Sequence, residues 1–189
     1  MVAHNELYNT FLAEHPSVIY EQFDDASFSA DDVSYINWYA LYDIDKDTVP
    51  ELLTMTEVNI RWEIINIYKI SDGQVIPYTF DDGTNVTFDN CHVANGVYYF
   101  DICSEGHIHN DFIGGWSTYQ VTYLSMDNKL HKYLEFSDDD LAGGDPLYII
   151  NGNEITSEEY NMYIDNCIAL NIEWLVNGES IYVHITDTN

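Results

Sequence analysis

From Trp38 to Phe136 short runs of alternating or continuous apolar residues follow one another, and most are bounded by a turn signal. EIINIYKI, QVIPYTF, NVTFDNCHV, GVYYFDICS, STYQVTYLSM and KLHKYLEF draw heavily on Val, Ile, Tyr, Phe and Thr. Those side chains suit a pleated surface buried on one face. Asp72-Gly73, Asp82-Gly83, Asn95-Gly96 and Asp127-Asn128 punctuate the runs, and Asx-Gly pairs supply the positive φ that tight hairpin loops require. The expectation is an antiparallel β meander over residues 33–150. Strands do not alternate with helices and no glycine-rich phosphate loop occurs, which argues against a parallel α/β sheet.

The periodicity changes at both ends. NELYNTFLAE, residues 5–14, sets Leu7, Phe11 and Leu12 on one face and predicts a short helix that stops before Pro16. FDDASFSADDVS, residues 23–34, is acidic and rich in small residues and reads as a linker. In ITSEEYNMYIDNCIAL, Thr156 and Glu159 have capping-box spacing, and Tyr160, Tyr163, Ile164, Cys167 and Ile168 then recur at helical intervals. Two continuations fit. The helix runs toward Leu175 and stops at Asn177-Gly178, followed by a last strand over Ile181–Ile185; or IEWLV and SIYVHI form a terminal hairpin across that Asn-Gly. The first is preferred. The expected whole is one α+β domain over residues 1–189: helix and acidic linker (1–32), meander (33–150), helix and last strand (151–189).

Composition sharpens this in two ways. With 16 Tyr, 8 Phe and 4 Trp the chain is far from the aromatic-poor makeup of disordered segments. It also carries 33 acidic residues against 5 Lys plus Arg, a formal charge of −28. Such a surface repels phosphate backbones and anionic lipid, which disfavours direct nucleic-acid or membrane binding. It draws cations and basic proteins, and it also serves solubility. No run of about 18 apolar residues exists to span a membrane. The opening MVAHNELYNTFLAEH lacks the basic and apolar regions of a signal peptide, so the chain is expected to be either intracellular or a mature form whose leader has been removed. Cys91, Cys103 and Cys167 are odd in number and do not describe a disulfide framework. A two-residue turn at Asn95-Gly96 would set Cys91 opposite Phe100 and Cys103 opposite Phe88, out of reach of each other.

The candidate chemistry lies in YALYDIDKDTVPELLTM, residues 39–55. Counting from Asp43, carboxylates fall at positions 1, 3, 5 and 9, as Asp43, Asp45, Asp47 and Glu51, with Val49 at position 7 able to offer a backbone carbonyl. Acids at every second place of a curled loop can all turn inward, and calcium accepts six to eight such oxygens at 2.3–2.6 Å. This is not an EF-hand, because position 12 is Thr54 and ELLTMTEV reads as a strand. The spacing suits a strand–loop–strand clip with Asp43, Asp45, Asp47, Val49 and Glu51 as ligands. Glycine is usual at position 6, where this chain has Thr48. Positive φ there would cost a β-branched residue roughly 1–2 kcal/mol, or about five- to thirtyfold in affinity. Lys46 adds a positive charge. A dissociation constant of about 10⁻⁴–10⁻³ M is expected, the range of extracellular modules.

The segment resembles the F-A-L-Y-D-I-D-G-D-G-x-P-E-L stretch of largely uncharacterised secreted and lipid-anchored proteins of Gram-positive bacteria, and it is similar to the calcium loops of FG-GAP and VCBS-type β repeats. INIYKISDGQVI looks like that group's next strand pair, and YIINGNEITSEEY resembles its I-N-G-x-E-[IV]-[ST]-x-E-E-Y segment. The resemblance covers about residues 36–80 and 147–165. Asp43, Asp45, Asp47 and Glu51 match its acidic positions, while Lys46 and Thr48 stand where it has glycine. It implies an extracellular or envelope location and no known enzymatic activity.

Weaker candidates remain. His107 and His109, with Asp111 and His92, could hold zinc or copper if brought together. Trp116 with Tyr119 and Tyr123 could form a platform for a sugar or peptide. Asp138, Asp139 and Asp140 read as a solvated loop with a second cation site as an alternative. No G-x-S-x-G or comparable catalytic motif is present. The sequence thus points to a non-enzymatic, envelope-associated domain with a calcium loop and a protein or glycan partner. The alternative is a cytoplasmic, acidic immunity or inhibitor protein that neutralises a basic toxin or nuclease.

Overall fold

The computed structural model describes residues 2–16, 18–20, 36–59, 62–93, 96–103, 107–127, 129–139, 142–164, 170–178 and 181–183. The predicted linker at 23–34 and Cys167 lie outside them. The chain opens with helix α1 (Val2–Glu14) and a short β1 (Val18–Tyr20). Strands β2 (Trp38–Tyr42), β3 (Glu51–Asn59) and β4 (Trp62–Ser71) form an antiparallel ladder, with Tyr42 opposite Glu51 and Leu53 opposite Ile67. Beyond them run β5 (Gln74–Pro77), β6 (Thr79–Phe80), β7 (Thr87–Val93), β8 (Gly96–Ile102), β9 (His107–Gly114), β10 (Ser117–Met126) and β11 (Lys129–Asp139). The chain closes with β12 (Leu147–Ile150), β13 (Asn153–Glu154), α2 (Ser157–Ile164), β14 (Leu175–Val176) and β15 (Ile181–Val183).

The α+β expectation holds, with a helix toward each end, but the sheet is not a simple meander. β4 is long enough to take two partners on one edge: β7 along Trp62–Asn66 and β5 along Tyr68–Ser71. Just past Pro77 the Tyr78 N–H still donates to the Ile67 carbonyl at 2.8 Å. The chain then leaves β4, and β6 pairs in parallel with the start of β11. Hydrogen bonding therefore runs β4–β7–β8–β9–β10–β11–β6, and the sheet curls back on itself. Inside the curl lies the main core, with Leu53, Ile65, Ile67, Tyr78, Phe88, Ile102, Ile108 and Leu130 buried together. The opposite face of β3 and β4 takes α1, whose Tyr8 and Leu12 pack on Ile36, Leu52 and Tyr68. Tyr8 is the deeply buried residue there, whereas Leu7 is only half-buried.

Three local expectations resolve differently. Cys91 pairs with Tyr98 and Val93 with Gly96, so β7 and β8 are shifted by two residues from an Asn95-Gly96 turn. Gly96 is needed within the strand, because a Cβ there would stand 2.6 Å from the ring of Phe112. Cys91 and Cys103 are buried free thiols. At the C-terminal end the capping box forms as expected, with the Glu159 N–H donating to Thr156 Oγ1 at 3.2 Å and the Thr156 N–H to Glu159 Oε2 at 2.9 Å. The helix does not reach Leu175, however. Residues 170–174 are non-helical, and Leu170, Ile172 and Trp174 pack on the main core at a period of two, the period of extended chain. The alternative, a terminal hairpin, does not form either: β14 pairs with β2, and β15 pairs in parallel with β1. The predicted last strand is present as β15.

Candidate metal centre

The acidic loop hangs between paired strand ends, since Tyr42 at the end of β2 faces Glu51 at the start of β3. Within it, Lys46 has φ 63° and Thr48 φ 77°. These are the two positions where the resembled loop carries glycine, and left-handed residues at alternate places curl the chain. The curl is stitched by its own carboxylates. Asp45 Oδ1 accepts the Asp47 N–H at 3.2 Å, Asp43 Oδ2 the Thr48 N–H at 3.1 Å and Asp47 Oδ1 the Val49 N–H at 2.7 Å. Ile44 plugs the loop into the main core at 2% exposure, and its N–H donates to Glu51 Oε2 at 2.7 Å.

Of the five predicted ligands, Asp43, Asp45 and Glu51 each bring a carboxylate oxygen within 4.8 Å of the others. Asp47 is exposed and stands outside that triad, committed to the Val49 N–H; Val49 is half-buried. Glu51 is only 3% exposed. Burial, with the charges of Asp45 and Asp47 adding to it, pushes its carboxyl up to about 8. Burial likewise raises Asp45. Asp43 Oδ1 is buried and has no hydrogen-bond partner. Three acids thus converge with one oxygen unpaired, and at Glu51 and Asp45 both burial and the neighbouring charges oppose the ionised state.

Two neighbours carried no sequence signal. Tyr8 Oη donates to the Pro50 carbonyl at 2.9 Å, tying α1 to the end of the loop across 42 residues. Lys69 on β4, with Nζ 4.6 Å from the centre of the Tyr78 ring, feels the charges of Asp45 and Glu51.

The weaker candidates separate. His107, His109 and Asp111 alternate along β9, but among the described residues only Asp43, Asp45 and Glu51 gather within ligating range; the His92 side chain lies outside the description. Burial, then His107, lowers His109 to about 4. The aromatic platform is split. Trp116 is 61% exposed at the β9–β10 turn, whereas Tyr123 packs on Phe80 and Phe88 in the core. Tyr119 hydrogen-bonds Glu135 Oε2 at 2.8 Å. Asp138 and Asp139 belong to β11, where Asp139 Oδ1 accepts the Ala142 N–H at 3.2 Å; Asp140 is outside the description. No helix among the described residues is long and apolar enough to cross a membrane. Comparison with protein-family models, curated proteins and solved structures gives no match, so the loop is read from its own geometry.

Proposed function

We propose that residues 43–51 bind a calcium ion that clips β2 to β3, in a non-enzymatic binding domain that works outside the cell or in the cell envelope. The observation that carries this reading is the meeting of Asp43, Asp45 and Glu51 within 4.8 Å around a buried, unpaired Asp43 Oδ1. Oxygens on one calcium lie at most about 4.6–5.2 Å apart, twice the bond length, so the spacing fits a common ion. A cation also relieves the mutual repulsion of the acids and supplies the missing partner. The Val49 carbonyl and water complete the shell, and Asp47 joins it by turning away from the Val49 N–H. The extracellular setting rests on the weak affinity expected of a loop with Thr48 and Lys46 in place of glycine, and on the resemblance to secreted and lipid-anchored proteins.

Calorimetric titration with calcium, with magnesium as control, tests the reading. A dissociation constant of about 10⁻⁴–10⁻³ M is expected, and 10 mM calcium should then stabilise the fold by roughly 1.4–2.7 kcal/mol. For a chain of this size that raises the melting temperature by about 3–11 °C. Asp43→Asn and Asp45→Asn should remove both effects. A wild-type melting temperature indifferent to calcium and chelator overturns the clip. The formal charge of −28 supports a second reading, capture of a basic toxin or nuclease; tight, salt-sensitive association with a basic protein encoded beside this one would favour it.

A further inference from the structure

We propose that the cavity beneath α1 is a binding site for a neutral saccharide. A space of about 720 Å³ opens between the C-terminal half of α1, the outer face of β4 and β5, and the turn that leads into β7. That volume is typical of small-molecule sites, roughly 300–1,000 Å³. One wall is aromatic: Phe11 lies 4.2 Å from His15 and 4.8 Å from Tyr68, centroid to centroid. Rings of this kind present flat apolar faces to the C–H face of a sugar.

The polar groups fit hydroxyls. Asn66 lines the cavity and is 6% exposed; its Oδ1 accepts from Thr87 Oγ1 at 2.9 Å, while its Nδ2 is buried without a partner. Turning the amide over only transfers the deficit to Oδ1, and native folds rarely leave such a group unpaired. His15 Nδ1 lies 2.7 Å from the Phe11 carbonyl. A carbonyl only accepts, so Nδ1 carries the proton and Nε2 of the neutral ring is left as an acceptor. Thr84 Oγ1 donates to Asp82 Oδ1 at 2.6 Å and keeps lone pairs for a ligand. Donor and acceptor thus flank an aromatic wall.

Charge selects among ligands. None of the described lining residues is Asp, Glu, Lys or Arg, in a chain with 33 acids. An anion meets the repulsive field of the whole surface, a cation finds no carboxylate in the cavity, and a purely apolar molecule would leave the Asn66 amide unpaired. An uncharged polyhydroxylated ring satisfies all three conditions. The assignment names the ligand class for the binding role proposed above. It does not depend on the calcium loop, because no residue of that loop lines the cavity.

The test is titration calorimetry of the full chain with maltotriose, cellotriose, xylotriose and N-acetylchitotriose. Trigalacturonate and the uncharged peptide N-acetyl-triglycine amide are the contrasts. At least one neutral trisaccharide should bind with a dissociation constant of about 1 mM or tighter, and both contrasts at least roughly tenfold more weakly. Phe11→Leu keeps the apolar contact on β4 but removes the ring, and Asn66→Ala removes the amide. Each should weaken binding by roughly tenfold or more, with melts run alongside to confirm folding. Should either variant fail to fold, amide shift mapping on the wild-type protein decides, since shifts must concentrate at residues 11–15, 66–68 and 84–87. No saccharide binding at about 10 mM, shifts located elsewhere, unchanged binding by folded variants, or equal binding of the uronate or peptide overturns the proposal. Titrations repeated in chelator separate it from the calcium reading: saccharide binding that persists without calcium leaves this site standing even if the loop binds no ion.

Discussion

Thr48→Gly isolates the backbone strain of the acidic loop. Thr48 is exposed, sits at φ 77° and engages Asp43 through its backbone N–H, which glycine retains. Relieving a left-handed L-residue should recover about 1–2 kcal/mol, and the greater freedom of glycine in the unfolded chain takes back roughly 0.5–1 kcal/mol. The net gain is about 1 kcal/mol, which raises the melting temperature by roughly 2–4 °C in a chain of this length. Lys46, at φ 63°, is the poorer probe because its Nζ also reaches the Tyr42 hydroxyl at 3.2 Å. Thermal melts in chelator and calcium titration of both proteins separate two outcomes. The cost of Thr48 to calcium affinity places the strain on ion binding: the variant should bind calcium about fivefold more tightly, and its higher melting temperature should appear with calcium and not in chelator. Equal calcium affinity with a higher melting temperature in chelator would refute this and place the strain on folding instead.

Two further perturbations test other parts of the fold. Burial, with the charge of Asp101 adding to it, raises Asp111 on β9 to about 6. Its folded value lies above the unfolded one, so its contribution to stability is complete below about pH 4 and is lost as pH rises through 6. Urea midpoints of wild type and Asp111→Asn, read from pH 4 to 8, should therefore diverge, the wild type losing up to about 3 kcal/mol relative to the variant; parallel curves would remove Asp111 as the cause. Asn177 is buried, and its Nδ2 lies 2.7 Å from the His15 carbonyl, 3.1 Å from that of Ile36 and 3.3 Å from that of Leu12. Asn177→Ala removes the amide from all three carbonyls, of which that of Leu12 keeps the His15 N–H at 3.1 Å, and should cost about 1–3 kcal/mol, with hydrogen exchange quickening in α1 and unchanged in β10 and β11; uniform protection in both would contradict that anchoring role.

The strands, the Asp72-Gly73 hairpin turn and the Thr156–Glu159 cap were legible because each depends on side chains a few residues apart. Alternation sets which face of a strand is buried, Asp72-Gly73 has the positive φ its turn requires, and the cap closes within one turn of helix. The acids of the loop were legible for the same reason, since every second residue of a curled segment turns to one side. That three of them meet while Asp47 turns to the Val49 N–H depended on which backbone groups the curl exposes, and spacing does not encode that. Partners distant in the chain left no local mark. The division of the β4 edge between β5 and β7, the return of β6 to β11 and the use of 170–178 as extended chain follow from closing one core around a curled sheet. The Tyr8 tie to Pro50 and the Asn177 tie to α1 span 42 and up to 165 residues. Periodicity reports how a segment is shaped and which side it buries; which surface covers that side is settled by competition among all the chain's apolar faces, and that exists only once the chain has folded.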